Sequence, residues 1–180
     1  MLNDAWLNGI PIATTRSSGF NSSFIQNALN VVVEVMQPLA DSRGLQLIVN
    51  YNQPPREVIT DPSRLHQILI NLVSNAIRYT ETGSVTIECR SISDQEWSII
   101  VQDTGIGISP EDQLRLFQPF ERATMPNNKR PSDSTGLGLA IVERLVNLLQ
   151  GRIYVASQVG EGSTFTVILP FTVQVQEKKV

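Results

Sequence analysis

The sequence predicts an α/β two-layer sandwich, in which helices cover one face of a mixed, mainly antiparallel sheet. Apolar residues recur at helical spacing in three long stretches and alternate with polar residues in shorter stretches between them. These stretches follow each other as helix, strand, helix, hairpin, long loop, helix and hairpin. Segments that each carry one apolar face can bury it by packing in two layers.

The chain divides into one domain and two short flanks. Residues 1–21 are rich in Asn, Ser, Thr and Gly without a clear period, which predicts a flexible linker or a remnant of cloning. Residues 22–171 hold all the periodic segments, and residues 172–180 form a tail. A length of 180 residues suits a single domain with its own core.

The first helix is expected to begin near Ser22, because a serine pair there offers an N-cap, and to end before Gly44. Pro38 lies inside this stretch and is expected to kink or shorten the helix. Apolar and polar residues then alternate over residues 45–51, which predicts a half-buried strand.

The second helix has a stronger start signal, since Asp61 can cap it and Pro62 suits its first position. We expect it to run to about Tyr79. Alternation and turn residues predict the remaining elements. They are a hairpin with strands from Val85 and from Trp97, a short helix over 110–117, a helix over 138–150, and a closing hairpin over 152–157 and 163–170.

Composition and charge exclude several classes of protein. The net charge of -3 argues against DNA or RNA as the main partner. Cys89 is the only cysteine, so an intramolecular disulfide and a cysteine-based zinc site are excluded. Apolar runs are too short to cross a bilayer. We expect a soluble, cytoplasmic domain, whether or not a parent protein is anchored in the inner membrane.

A polar stripe follows one face of the second helix. Gln67, Asn71, Asn75 and Arg78 are spaced by four, four and three residues, so they share a face. Amide oxygens beside a cation suit a hydrated Mg²⁺ and phosphate oxygens. The alternative is a solvated helix face, and spacing alone does not decide between them.

Two glycine-rich segments are candidate ligand loops. Asp103 ends a strand and is followed by Gly105 and Gly107, an arrangement in which a carboxylate can accept a hydrogen bond from an adenine amino group. Gly136 and Gly138 open the last long helix, where backbone N–H groups favour anions. Neither segment has the spacing of a dinucleotide fingerprint or a Walker A loop. An ordinary glycine turn and a tightly packed helix start are the alternatives.

Between these segments lies a long loop, residues 118–135, that holds almost no core-forming residues. Loops of this length in compact domains are usually lids or binding loops. Phe117 and Phe120 are expected to pin its base, and Arg122 to reach a phosphate. We expect the lid to be disordered or variable without nucleotide.

Taken in order, these segments resemble the four sequence boxes of the histidine-kinase branch of the ATPase superfamily that includes DNA gyrase B, MutL and heat-shock chaperones. The resemblance covers about residues 24–170. The matching segments are Asn71–Thr80 (N box), Asp103–Ile108 (G1 box), Phe117–Phe120 (F box), Thr135–Leu139 (G2 box) and Gly160–Phe165 in the closing hairpin. Arg78 stands where Lys is commonest, which keeps the charge but changes its geometry. Ser134 stands where Gly is frequent, which bears on the flexibility of the lid, and neither difference is disabling for the resemblance.

The resemblance implies a Bergerat-type fold that binds ATP, with ADP as product, and Mg²⁺. It assigns Asn75 to Mg²⁺ and Asp103 to the adenine amino group. Asn71, Asn75, Arg78 and Arg122 would be the catalytic set near the phosphates. The remaining residues of the nucleotide pocket would be Tyr79, Gly105, Gly107, Ile108, Thr135, Gly136, Leu137, Gly138, Leu139 and Thr164, the last near the adenine.

The same resemblance implies a two-component sensor kinase whose phosphate-accepting histidine lies outside this chain. His66 is the only histidine, and the Gln67-Ile68-Leu69 that follows it is unlike the sequence after a phospho-acceptor, so we interpret His66 as structural. The partner would be a histidine-bearing dimerisation domain of the same parent kinase, with a response regulator acting indirectly. We expect this fragment to be monomeric and unable to phosphorylate itself.

Two alternative functions stay open at this stage. One is a non-catalytic nucleotide-binding regulatory module, against which intact Asn75 and Asp103 speak. The other is a serine kinase of the anti-sigma type, which the N box and the Phe-Gln-Pro-Phe segment make less favoured. Gyrase-like or chaperone-like hydrolysis is less favoured still, because positions 67 and 71 carry no acidic residue to activate water.

Overall fold

The computed structural model describes residues 6–7, 10–11, 20–51, 55, 57–120 and 136–173. Its helices are α1 (Ser22–Ser42), α2 (Pro62–Tyr79), α3 (Pro110–Gln113) and α4 (Gly138–Leu148). Its strands are β1 (Trp6–Leu7), β2 (Ile10–Pro11), β3 (Phe20–Asn21), β4 (Gln46–Tyr51), β5 (Glu57–Val58), β6 (Ser84–Ser91), β7 (Glu96–Asp103), β8 (Arg152–Gln158) and β9 (Gly162–Pro170).

The main sheet confirms the predicted mixed, mainly antiparallel arrangement. Its five strands lie in the order β4-β6-β7-β9-β8. The pairing of β4 with β6 is parallel, and the other three pairings are antiparallel. Because the chain crosses from β4 to β6 through α2, this helix is placed over the sheet.

The core lies on one face of this sheet. Ile87, Val101 and Phe165 stand side by side on β6, β7 and β9, and all three are buried. Their neighbours Gln102 and Ala156 point to the other face and are exposed. The long helices α1, α2 and α4 turn their apolar residues towards the buried face, so the two-layer prediction is confirmed.

Most predicted boundaries, including both ends of α1, agree with the structure to within a residue or two, but the end of α3 differs. Helix α1 continues through Pro38 to Ser42, because residues beyond the proline such as Ala40 are buried in the core and packing offsets the lost hydrogen bond. Helix α3 ends at Gln113, four residues before the predicted end at Phe117, and turns follow it.

Short strand pairs occur where the sequence indicated no element. Strand β1 pairs with β2 inside residues 1–21, and β3 pairs with β5. Cys89 is fully buried on β6, and burial raises the pKa of its thiol to about 12.

Among the helices of the described ranges, none combines the length and apolar character that a membrane span needs.

Candidate nucleotide-binding site

Helix α2 is capped at its start and carries the polar stripe on the face that is not buried in the core. The Asp61 carboxylate accepts hydrogen bonds from the backbone N–H groups of Ser63 (2.9 Å) and Arg64 (3.1 Å), as the capping prediction requires. The apolar face of α2 is then fully buried. Asn71 and Asn75 lie on the remaining surface and are half-buried.

The N-terminus of α4 lies directly opposite these two asparagines. A Cβ added to Gly138 would lie 3.3 Å from Asn71 Oδ1 and 3.7 Å from Asn75 Nδ2. Glycine at this position therefore lets the start of α4 approach the amide groups. Two segments that lie far apart in the sequence are thus brought together, as the resemblance implied.

Arg78 follows Asn75 by three residues on the same face of α2, and Gly136 precedes the start of α4. We call Asn71, Asn75, Arg78 and Gly136–Gly138 the phosphate end of the candidate site. Arg78 is half-buried, and its guanidinium has no ion pair within the described part of the chain. Gly136 adopts a left-handed backbone (φ 71°), which favours glycine, and its carbonyl accepts a hydrogen bond from Phe120 N–H (3.1 Å).

Asp103 lies at the end of β7 and is 6% exposed. Its Oδ1 accepts hydrogen bonds from the N–H groups of Gly105 (2.8 Å) and Ser163 (3.3 Å). Its Oδ2 receives no hydrogen bond from the described residues. Burial raises the pKa of this carboxyl group, and the two backbone hydrogen bonds partly offset that rise. One oxygen is therefore fixed, and the other is left as an acceptor.

Glycines pack the loop after Asp103 against its neighbours. A Cβ at Gly105 would overlap the carbonyl oxygen of Tyr79, the last residue of α2. Gly107 has a left-handed backbone (φ 69°), and a Cβ there would overlap the carbonyl oxygen of Gln158. The loop is therefore pressed between the end of α2 and the β8–β9 turn.

Serines that sequence reasoning missed brace the same loop. Ser157 Oγ accepts a hydrogen bond from Ile108 N–H (2.8 Å) and donates one to the Gly162 carbonyl (2.9 Å). Ser157 Oγ and Ser163 Oγ are 3.0 Å apart. Since the Ser157 proton goes to Gly162, Ser163 donates to Ser157. We call Asp103, Gly105, Gly107, Ser157 and Ser163 the base end of the pocket.

The structure does not bring Thr164 to this group. In the register of β7 and β9, Asp103 pairs with Ser163, whereas Thr164 pairs with Gln102. Successive residues of a strand point to opposite faces of its sheet, so Thr164 faces away from the carboxylate. The signal that could have identified Ser163 is its pairing with Asp103, which requires the register of β7 and β9 to be known.

The other predicted pocket residues lie in several different places. Ile108 and Leu139 are half-buried and pack against the core, and Leu137 is the residue at the N-cap of α4. Arg122, Thr135 and most of the predicted lid lie outside the described residues. His66 on α2 is half-buried, and its Nε2 is shielded from solvent without a hydrogen-bond partner in the described ranges.

The donor set fits a phosphate-bound Mg²⁺ better than a protein-held metal. No group of three or more His, Cys, Asp or Glu side chains that could hold a metal ion occurs among the residues that the structure describes. The phosphate end offers amide oxygens, and Asn75 makes no hydrogen bond to other described residues that would occupy its oxygen. Mg²⁺ that keeps waters and nucleotide oxygens needs few protein ligands of this kind.

The chain belongs to the family of histidine kinase-, DNA gyrase B- and HSP90-like ATPases, whose family model matches residues 60–173. This family assignment implies ATP as the nucleotide. Within the family the chain corresponds to the catalytic ATPase domain of sensor histidine kinases, as three curated relatives indicate.

The chain is 44% identical over 146 residues to the signal transduction histidine-protein kinase BarA of Escherichia coli, covering 78% of this chain and 16% of BarA. It is 39% identical over 150 residues to the sensor histidine kinase GacS of Pseudomonas protegens (81% and 16%). It is 36% identical over 154 residues to the autoinducer 2 sensor kinase/phosphatase LuxQ of Vibrio cholerae (83% and 18%). The chain thus spans about a sixth of the length of these relatives.

Solved structures agree with the fold. Full-length ShkA in complex with AMPPNP superposes with a TM-score of 0.73 at 32% identity, over 84% of this chain and 31% of ShkA. The nucleotide-free catalytic domain of the histidine kinase ThkA superposes with a TM-score of 0.71 at 23% identity, over 87% of this chain and 98% of that domain. The second likeness supports the fold alone.

Proposed function

We propose that this domain binds Mg-ATP and donates the γ-phosphoryl group to a histidine on a separate dimerisation domain of the same parent kinase. The observation that carries the proposal is the buried Asp103 carboxylate, whose Oδ1 is held by two backbone N–H groups while Oδ2 is left as an acceptor. An adenine amino group is a donor that such an oxygen fits. The complex of ShkA with AMPPNP supports the choice of an adenine nucleotide.

The phosphate chain of ATP would extend from the base end to the phosphate end. Asn75 would supply an oxygen to Mg²⁺ and Asn71 would lie beside it, since both face the glycine start of α4. Arg78 would face the phosphates with a charge that no described side chain neutralises. Arg122 and Thr135 stay predictions from the resemblance. When bound, Mg²⁺ neutralises charge on the phosphate oxygens.

Transfer of a phosphoryl group depends mainly on positioning and on stabilising the charge spread over the transferred group. Asn71, Asn75 and Arg78 can do both, and none of them needs to act as a nucleophile. The half-buried His66 lies on α2 itself, so a histidine from another domain is the better acceptor. The length of BarA, GacS and LuxQ supports a multidomain parent kinase. We place the domain in the cytoplasm, where ATP is available.

Calorimetric titration with AMPPNP, with and without Mg²⁺, tests nucleotide binding. We expect Asp103→Asn to weaken binding by about tenfold or more, because an amide in place of Oδ2 would direct a donor at the adenine amino group. Asp94→Asn changes the charge equally in the exposed β6–β7 turn and should bind like the wild type. A wild-type domain that binds no AMPPNP at millimolar concentration would overturn the proposal.

Transfer is tested by mixing the domain, γ-labelled ATP and a separately produced histidine-bearing domain. We expect label on the second protein that is lost in acid, since the phosphoramidate bond of phosphohistidine is acid-labile. Label that survives acid would indicate a serine kinase. Tight nucleotide binding without any labelled protein would favour a regulatory module.

A further inference from the structure

The C-terminal end of α2 has all four of its last carbonyl groups bonded. The last four carbonyls of a helix lack partners in the helix and must find other donors. Thr80 Oγ1 donates to the Ala76 carbonyl at 2.7 Å. The N–H group of Ile106 donates to the Tyr79 carbonyl at 3.2 Å. The two carbonyls between them, those of Ile77 and Arg78, receive their hydrogen bonds from one side chain, that of Arg43.

Arg43 reaches this helix end from a different part of the chain. Its Nη1 lies 3.1 Å from the Arg78 carbonyl oxygen and 3.4 Å from that of Ile77. Its own backbone N–H donates to the Ala40 carbonyl (3.0 Å), and Leu45 next to the turn is buried, so the corner after α1 is fixed. A cation at the negative end of a helix is stabilising, and here it is anchored to a separate element.

The bonds made by Arg43 lie next to both ends of the pocket. Arg78, whose carbonyl it holds, belongs to the phosphate end. Tyr79 follows directly, and its carbonyl bonds Ile106 and packs against Gly105 of the base end. If the last turn of α2 frays, the guanidinium of Arg78 and the loop after Asp103 lose their common support.

We propose that Arg43 is a positioning residue for the nucleotide site. It holds the end of α2 in the register at which Arg78 faces the phosphates and Tyr79 supports the loop after Asp103. We do not expect Arg43 itself to touch the nucleotide. The proposal rests on the proposed function, because it concerns the same pocket.

Two measurements on the whole chain test it. The first is hydrogen exchange of the Ile106 amide without nucleotide, which reports directly on the bond to the Tyr79 carbonyl. The second is the Kd for AMPPNP with Mg²⁺, measured well below the unfolding midpoint, where a loss of stability alone does not change binding. For Arg43→Ala we expect faster exchange and a weaker Kd, each by about two- to fivefold, the range for a charge at a helix end.

Two further variants separate positioning from simple stabilisation. Arg43→Lys keeps the charge and a donor at the helix end and should recover most of both losses. Arg64→Ala removes a half-buried arginine whose ion pair with Asp61 (3.2 Å) lies at the opposite end of the same helix. It should lower stability somewhat while leaving Ile106 exchange and nucleotide affinity at wild-type values.

Normal Ile106 exchange in Arg43→Ala, or faster exchange with unchanged affinity, would overturn the positioning role alone. Equal losses in Arg64→Ala would also overturn it, because they would indicate a general loss of stability. If the wild-type chain binds no AMPPNP, both the proposed function and the positioning role are overturned. This outcome is distinguishable from the others because it is measured before any variant is compared.

Discussion

The two ends of the pocket are built in different ways. At the base end, Asp103 and Ser163 are almost fully buried, and hydrogen bonds join the β7 end, the loop after Asp103 and the β8–β9 hairpin. At the phosphate end, the Asn71 side chain bonds only the Gln67 carbonyl of its own helix among the described residues, at 2.8 Å. Asn75 and the Arg78 guanidinium have no such partner there.

This difference implies a division of labour between the two ends. A buried site whose backbone and hydroxyl groups are hydrogen-bonded to each other is rigid before the ligand arrives, and it selects by shape and by the geometry of the acceptor that stays open. Side chains without protein partners reorganise around charge and water when the ligand binds. We therefore expect substitutions at the base end to change stability and binding together, and substitutions at the phosphate end to change binding alone.

The largest effect should come from Gly162→Ala, at a residue that lies against Asp103 and Ser157 of the base end. Gly162 has φ 103°, and a Cβ there would overlap the Asp103 carbonyl oxygen and approach Thr104 Cα at 3.0 Å. Overpacking and the left-handed backbone together should lower the free energy of unfolding by about 3 kcal/mol. Because Asp103 must shift, AMPPNP affinity should fall by about tenfold or more. Denaturant unfolding and calorimetry measure the two quantities.

Gly160→Ala is the matched control for that substitution. Gly160 lies in the same hairpin with φ 85°, but a Cβ there would meet no atom within 4 Å. It should therefore show only the backbone penalty of about 1–2 kcal/mol, with normal affinity. If both variants bind AMPPNP normally, the base end is not the rigid half of the pocket.

The sequence allowed good prediction of elements whose signals are local. Asp61 and Pro62 predicted the start of α2, and the helical spacing predicted that Asn71 and Asn75 share a face. The glycine boxes were found because glycine is required where backbones approach closely. The order of these boxes along the chain then indicated the family before the geometry was known.

Features that depend on pairing between distant strands or elements were not predicted. The choice of Ser163 over Thr164 follows from the register of β7 and β9, and a one-residue slip exchanges the two faces. The bonds from Arg43 to the end of α2 span 34 and 35 residues. An exposed arginine after a helix carries no local sign of such a contact.

A middle-sized effect is expected from Asn75→Ala at the phosphate end. Alanine favours the helix interior by up to about 0.7 kcal/mol, and the Asn75 side chain makes no hydrogen bond with other described residues, so stability should stay the same or rise slightly. Affinity for AMPPNP with Mg²⁺ should fall about tenfold, the size of one charge-assisted contact. Affinity without Mg²⁺ should change little, since Asn75 acts through the ion.

The control for this substitution is Asn147→Ala, which replaces an exposed asparagine on α4. It should gain helix propensity in the same way and leave both titrations unchanged. An Asn75→Ala domain that loses stability by more than about 1 kcal/mol would contradict the view that this end is unbonded before the ligand binds.

The smallest effect concerns the stability of Asp103→Asn and its dependence on pH. Burial raises the pKa of Asp103 above its ordinary value of 3.8, so the folded protein binds this proton more tightly than the unfolded chain. The stability contributed by this group is therefore present at low pH and lost as pH rises through the raised pKa. An asparagine side chain at this position would keep an acceptor for the Gly105 and Ser163 N–H groups without the buried charge.

At neutral pH we therefore expect the Asp103→Asn variant to be more stable than the wild type by about 0.5–1 kcal/mol, at the low end of single-substitution effects. Denaturant unfolding at several pH values should show this advantage shrinking as pH falls towards 3.8. An advantage that grows on acidification would mean that the carboxylate is stabilised by its hydrogen bonds more than it is destabilised by burial. The carboxylate at the base end would then cost the fold no stability, whereas we expect a buried charge kept for binding to have such a cost.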